Sequence, residues 1–425
     1  MTATAASPGQ AEADGTDTGR HRSFRYLLWA TGISTTGDGL VFVGMPLLAI
    51  TITRSPLAIA AVTAVIGAAT AAAALPAGLV ADRMDRRQVM IMSNVAAGTA
   101  LALLVTAIAA GIADLAMIYI ASAVIAVCAV TYALAVQAVV PTVTSSGLTS
   151  ANGRLQASQI VGSQCLGPSL AGVLFNYARL LPFLGDSLSF LLSAALIRTG
   201  IPRAAMQRPA GPVQPPSSLA QDLRQGVRWF RQHQPVWTIA VTVAAMAASQ
   251  SMILAVMVIY GTRRLHLGPA GYGWFIAGAS LLGIFGATAA SKVAKHVGTG
   301  WAVILSAAVA MAGTAGLGLV RTVWPALLLF GAQEFGSTAV NVNTISARQQ
   351  LIPRELYGRV SSVHRLIIAA AVPLGAMLGG AIANLTGTPG TMLAAGAVGA
   401  AALLIAAPVL IRLNNIPGNR ARDQR

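Results

Sequence analysis

Twelve apolar runs of membrane-spanning length follow one another along the chain, at 26–53, 55–81, 88–112, 115–141, 155–178, 181–199, 236–260, 267–291, 299–320, 322–347, 360–385 and 389–412. A helix needs about 20 apolar residues to cross a hydrocarbon core about 30 Å thick. Inside that core each backbone N–H and C=O must be paired within the structure, which leaves helices as the natural reading of runs this long. Only 9% of the 425 residues are charged, against 55% hydrophobic, and the mean hydropathy is +0.70. A soluble domain carries about 25% charged residues. The chain cannot coat a water-soluble globule of its size, so a soluble enzyme is excluded. An all-α integral membrane protein is expected.

The net charge of +16 does not point to nucleic acid. Its basic residues fall between the apolar runs and form no stripe interleaved with aromatics. With the amino terminus inside, cytoplasmic segments hold 23 of the 28 basic residues, and the outer segments keep only Arg54, Arg179, Arg263, Arg264 and Arg321. That asymmetry predicts an even number of spans with both termini in the cytoplasm. Arginine supplies 26 of the 28, which with the abundant alanine suggests a GC-rich bacterial genome and hence the bacterial inner membrane. Cys128 and Cys165 both fall within spans and read as small packing residues. Residues 1–20 are polar and expected to be disordered, with no signal peptide apparent and the first span acting as an uncleaved signal.

The longest polar gap divides the spans six and six. It opens with Pro202, Pro209, Pro212, Pro215 and Pro216 and continues with Leu219, Leu223, Val227 and Phe230 at helical spacing, beside Arg224, Arg228 and Arg231. This predicts a basic amphipathic helix on the inner membrane surface, the alternative being a solvated linker helix. The expected organisation is a tail over 1–20, a bundle over 21–200, a linker over 201–235, a second bundle over 236–412 and a tail over 413–425. The two bundles repeat. Gly153-Arg154-Leu155 precedes Pro168 as Gly358-Arg359-Val360 precedes Pro373, both pairs offset by 205 residues. Gln137 to Pro141 and Gln349 to Pro353 lie upstream of them.

Between the second and third spans lies Gly78-Leu79-Val80-Ala81-Asp82-Arg83-Met84-Asp85-Arg86-Arg87. It resembles the signature loop of the major facilitator superfamily, matching at Gly78, Ala81, Asp82, Arg83, Arg86 and Arg87, and departing at Val80 and at Asp85, where glycine is usual. The variant is similar to that of the enterobactin-exporter and macrolide-efflux-like branch of drug:proton antiporters. So are Thr35 to Leu40 and the stretch from Gln350 to Gly380. The resemblance implies the major facilitator fold, twelve helices in two pseudo-symmetric six-helix bundles, most often a monomer. It also implies that Asp82 pairs with the loop arginines and faces the start of the eleventh span near Arg359, as a latch on the outward-open state. A carboxylate at a helix amino end gains roughly 0.3–1 kcal/mol. Asp85 puts the usual turn in doubt and offers a second ion pair.

Three of the twelve acids sit within spans: Asp38, Asp186 and Glu334. A charge at mid-bilayer costs about 2.5–3.5 kcal/mol on insertion scales, so each should face a cavity, pair or take up a proton. Asp38, between Gly37 and Gly39, and Glu334, next to Gln333, are the proton-coupling candidates; the alternative is that each only binds a neighbouring helix. Asp186 reads as structural or as an outer gate. In the fifth span, Gly162, Gly167, Pro168 and Gly172 resemble the exporter-associated G-P-x-x-G-G pattern, with Ala171 in place of one glycine, although a plain packing kink explains them equally.

Candidate substrate-cavity residues are Phe42, Tyr132, Gln137, Gln159, Gln164, Gln250, Trp274, Gln333 and Asn341, with the acids. A mostly apolar cavity with few charges suits a lipophilic compound better than a sugar phosphate. The five histidines show no metal spacing, and no P-loop is present, so no cofactor is expected and an ion gradient is the expected energy source. Such a gradient supplies about 2.3 kcal/mol per charge per 100 mV. The leading expectation is proton-coupled efflux of a drug-like compound, siderophore or natural product, a route to antibiotic resistance. The alternatives are a proton-coupled importer of a small nutrient and a non-transporting sensor or assembly partner. The expected partners are a small-molecule substrate, protons and the lipid bilayer.

Overall fold

The computed structural model describes residues 8–144, 147–202, 219–353 and 356–413, and every regular element among them is a helix. The elements are α1 (Pro8–Ile52), α2 (Pro56–Arg83), α3 (Arg86–Ala109), α4 (Leu115–Val143), α5 (148–177), α6 (Leu181–Gly200), α7 (Leu219–Gln232), α8 (Gln234–Ile259), α9 (Pro269–Val297), α10 (Thr299–Leu317), α11 (Val323–Leu351) and a final helical stretch Tyr357–Leu413. Gly387 interrupts that stretch with φ 76°, a left-handed value that costs glycine little, and so divides it into α12 (357–386) and α13 (388–413). Among the described residues nine helical stretches are apolar and long enough to cross a membrane. Dividing the last at Gly387, and counting the more polar rods α5 and α11, recovers the twelve read from the sequence.

Local chemistry explains the ends and irregularities. Asp85 caps α3, its carboxylate accepting from the Arg87 backbone N–H at 2.9 Å; Asp114 caps α4 in the same way, from Met117 N–H at 2.8 Å. The acid that replaces the usual loop glycine thus starts a helix. In α5, Val161–Leu166 takes the wider π-helical turn immediately before Pro168, whose missing N–H would otherwise leave a gap in the ladder. α1 starts at Pro8, inside the tail for which disorder is expected. Pro8 suits a first helical turn, and Gln10, Ala11, Glu12 and Ala13 favour helix. Residues 1–7, the proline-rich 203–218 and the tail 414–425 lie outside the described residues, and Leu413 ends the last helix.

The chain forms two compact units. The first comprises Met1–Gly44 and Ala72–Pro212, the second Met45–Ala71 and Val213–Arg425. The first has an apolar core around Leu27, Met90, Tyr132, Val139 and Ile197. The second has one around Ile239, Val303, Ala307, Ala310 and Leu410. The segment Met45–Ala71 therefore groups with the second unit and not with the rest of 21–200. Small side chains account for it: Ala60 and Ala64 pack with Ala255 and Ala376, and a Cβ on Gly67 would lie 2.8 Å from the Val372 side chain. Close approach of small residues is the usual way for helices to associate in lipid. Within the second unit α7 packs through Phe230, fully buried beside Val236, Ala240, Ile352 and Val360, while Arg224, Arg228 and Arg231 stay exposed.

The internal repeat reappears as a packing pattern. In the first unit α5 closes on α1, where a Cβ on Gly39 would stand 2.8 Å from the Gly167 Cα. In the second unit α12 closes on α8, where Gly375 faces the Ala248 backbone and a Cβ on Gly379 would stand 2.7 Å from the Met252 Cα. Ser251 completes that contact by donating to the Val372 carbonyl at 2.7 Å, next to Pro373.

Candidate functional site

Asp38 sits on α1 where two other helices come close, and its flanking glycines make this possible. On one side Gly39 admits the α5 backbone at Gly167 and Pro168. On the other, the space that a Cβ on Gly37 would fill holds the carboxylate of Asp186, from α6. Asp186 is fully buried; its Oδ1 accepts from the Ser189 hydroxyl at 2.8 Å, and its Oδ2 is buried with no hydrogen-bond partner. Asp38 lies within electrostatic reach of both Asp186 and Tyr132. The acid read as structural or as an outer gate thus belongs to the same cluster as the coupling candidate.

Hydroxyls and an amide bind this cluster to the rest of its unit. The buried Tyr132 hydroxyl lies 3.4 Å from Thr31 Oγ1 and also bonds Ser193. Asn94 donates to Ser193 Oγ at 2.8 Å, and Ser187 donates to the Gly98 carbonyl at 2.9 Å. These bonds tie α1, α3, α4 and α6 together around the cluster. Two carboxyls this near one another in apolar surroundings repel when both are charged, and one proton on the pair relieves the repulsion.

The second unit carries Glu334 on α11. Gln250 of α8 donates to its Oε1 at 3.3 Å. A Cβ on Gly283 of α9 would approach the Glu334 Cβ at 3.3 Å, and Gly286 lies against the Phe335 backbone, so the Gly283-Ile284-Phe285-Gly286 run is a packing element. Gln333 points elsewhere. It is 1% exposed, donates to Ser337 Oγ at 2.9 Å and packs where Gly313 lets α10 close on α11.

The structure therefore brings together Asp38, Asp186 and Tyr132 in one place, and Glu334 with Gln250 in another. Tyr132 and Gln333 lie inside packed bundles and not on an open wall. Of the other cavity candidates, Phe42, Gln137, Gln164, Trp274 and Asn341 are exposed and Gln159 is half-buried, without a shared cluster. Among the buried polar groups that escaped sequence reading, two carry basic side chains. His364 is 2% exposed with neither ring nitrogen bonded, and Arg348 is 8% exposed with its Nε donating to the Thr344 carbonyl at 3.3 Å. No local pattern marks either.

Around the basic loop, the side chains of Asp82 and Arg83 lie outside the described residues. The two following arginines act within the first unit. Arg86 donates to the Ala138 carbonyl of α4 at 2.8 Å, and Arg87 to the Arg198 carbonyl in the last turn of α6 at 2.5 Å. Carbonyls in a helix's last turn lack partners within the helix, and a cation there also meets the negative end of the helix dipole.

Residues 27–371 match the family described as Major Facilitator Superfamily. Among solved structures, the chain is similar to a bacterial homologue of the human lysosomal transporter Spinster in an inward-facing, unoccupied conformation, with TM-score 0.73 and 13% identity over 94% of this chain and 99% of that one. It is similar to a bacterial homologue of the iron transporter ferroportin in an inward-facing state, with TM-score 0.69 and 18% identity over 93% and 99%. It is also similar to the nucleoside transporter NupG, with TM-score 0.73 and 11% identity over 91% and 98%. At these identities the likeness is one of fold. No curated protein matches the chain in sequence.

Proposed function

The chain belongs to the major facilitator superfamily, a multi-pass membrane transporter family, and on that premise we propose that it exports a small lipophilic compound in exchange for protons. Transport runs by alternating access, with each bundle as a semi-rigid body. One observation above all supports this reading: both proton-coupling candidates sit in polar clusters that join different helices of their unit, Asp38 with Asp186 and Glu334 with Gln250. A carboxyl that changes protonation there changes the forces between helices. Proton entry at such a site therefore couples to helix movement, and the inward gradient drives the cargo out. The few charges among the cavity candidates favour a lipophilic or weakly cationic cargo. Arg86 and Arg87 keep the loop that resembles the superfamily latch attached to its own unit.

Everted vesicles test the proposal. With the lumen acidified, vesicles carrying the protein should accumulate a lipophilic cationic dye, and a protonophore should abolish the accumulation. Accumulation driven only by an acidic exterior would make the protein an importer. Accumulation that survives the protonophore would remove proton coupling altogether.

A further inference from the structure

A groove of about 650 Å³ runs along the first unit between the amino-terminal part of α1 and the carboxyl-terminal half of α6. Its chemistry is graded along its length. Arg22 and Arg25 stand at one end, Tyr26 and Trp29 follow, and Ile33 with Leu192 and Leu196 forms the apolar remainder. Arg22, Tyr26, Trp29 and Ile33 are spaced by four, three and four residues, so they share one face of α1. The Tyr26 ring lies across the end of α6, where Gly200 leaves room for it, and the Arg22 guanidinium stands 5.9 Å above that ring. Trp29 is 64% exposed and Leu192 51%, so the groove opens outward from the unit.

Exposed apolar side chains are ordinary on a lipid-facing surface. A concave strip that ends in two cations is not. Arg22 and Arg25 are both exposed, and no carboxylate among the described residues forms an ion pair with either. From Arg22 to Ile33 the helix rises roughly 16 Å, close to half of the hydrocarbon core. The graded strip therefore matches one leaflet in depth as well as in chemistry, with arginines and aromatics at headgroup level and aliphatic residues beneath.

We propose that this groove is a binding site for one anionic glycerophospholipid of the leaflet on the amino-terminal side, its phosphodiester between Arg22 and Arg25 and one acyl chain along Ile33, Leu192 and Leu196. The apolar length of the groove selects a lipid over a free phosphate. The two exposed arginines at one end select an anionic headgroup over a zwitterionic one. The site is separate from the carboxyl clusters, so it stands whether or not the protein is an exporter.

Native mass spectrometry of the full chain in mild detergent tests this, with phosphatidylglycerol and phosphatidylcholine of identical acyl chains as probes. One phosphatidylglycerol per chain should be retained, about thirtyfold more tightly than phosphatidylcholine, the order expected of two interfacial arginines. Arg22→Gln combined with Arg25→Gln should abolish that preference. Leu192→Trp fills the groove without altering its charge and should lower retention of phosphatidylglycerol as much. Both variants replace exposed side chains, and a monodisperse elution profile checks their folding. Equal retention of the two lipids, or loss in the arginine variant alone, would overturn the proposal, because neither requires a groove that reads a headgroup. Displacement of the lipid by millimolar inorganic phosphate would overturn it too, assigning the arginines to a free anion.

Discussion

The acids of the two halves sit on different members of related helix pairs. In the first unit the carboxyl is on the first span, at Asp38, and the fourth span contributes Tyr132. In the second unit the carboxyl is on the tenth span, at Glu334, and the seventh contributes Gln250. The partners differ in kind. Asp38 faces a second acid, Asp186, whose Oδ2 has no hydrogen-bond partner; Glu334 faces an amide donor. Two carboxylates repel one another, whereas an amide N–H offers a carboxyl oxygen a hydrogen bond. The repeated scaffold has thus kept its helix packing and diverged in the chemistry placed on it, and under the proposed function proton exchange is assigned first to the unit with paired acids.

That assignment can be broken most directly by neutralising each acid in turn. Asp38→Asn should lower proton-driven transport in proteoliposomes by roughly a hundredfold, and Glu334→Gln by roughly five- to tenfold, the two ends of the usual range of coupling energies. Equal losses would mean that the units share the proton work. The packing half of the comparison predicts likeness where the chemistry predicts difference. Gly39→Val and Gly375→Val each force a branched side chain onto a neighbouring backbone, and each should destabilise by about 1–3 kcal/mol or more, read as a lower unfolding midpoint in detergent. A loss confined to one of them would show that the repeat is unequal in packing as well.

Asp186→Asn sharpens the account of the first cluster. Where both acids carry charge, as at high pH, removing one should stabilise the protein by at most about 4 kcal/mol, the size of a single repulsion at about 4 Å and an effective dielectric of about 20. A lower midpoint would instead make Asp186 a structural anchor through Ser189. The smallest effect expected is at the loop. Asp85→Ala should cost about 1 kcal/mol through loss of the α3 cap, and Asp85→Gly only a few tenths. If glycine proved as costly as alanine, the carboxylate would have a role beyond capping.

Much of this was legible in the residues. The apolar runs marked the helices because burial in lipid leaves a long, local compositional trace. The 205-residue offset between Pro168 and Pro373 marked the repeated closure of α5 on α1 and of α12 on α8. Asp38 and Glu334 stood out because a mid-span acid is costly without a purpose. Other features left no trace. Nothing local distinguishes Gln250, which reaches Glu334, from Gln333, which turns into the α10 contact. Asp186 read as a peripheral acid because its partner is 148 positions away and only Gly37, an unremarkable glycine in sequence, makes space for it. The grouping of Met45–Ala71 with the second unit depends on alanine-to-alanine contacts, and alanine is everywhere in this chain.

The sequence by itself determined the solvent, the twelve spans, the amphipathic helix before the second bundle and the identity of the three intramembrane acids. Each of these is set by the transfer free energy of a residue or a short window, a property that neighbours in space do not alter. Only the tertiary structure decided which acid faces which partner, where Arg86 and Arg87 attach, and where α1 and α6 leave a groove. Those outcomes depend on how each helix is rotated about its own axis. A helix of uniform hydropathy carries little record of that rotation until glycine-sized gaps and side-chain shapes select it during packing.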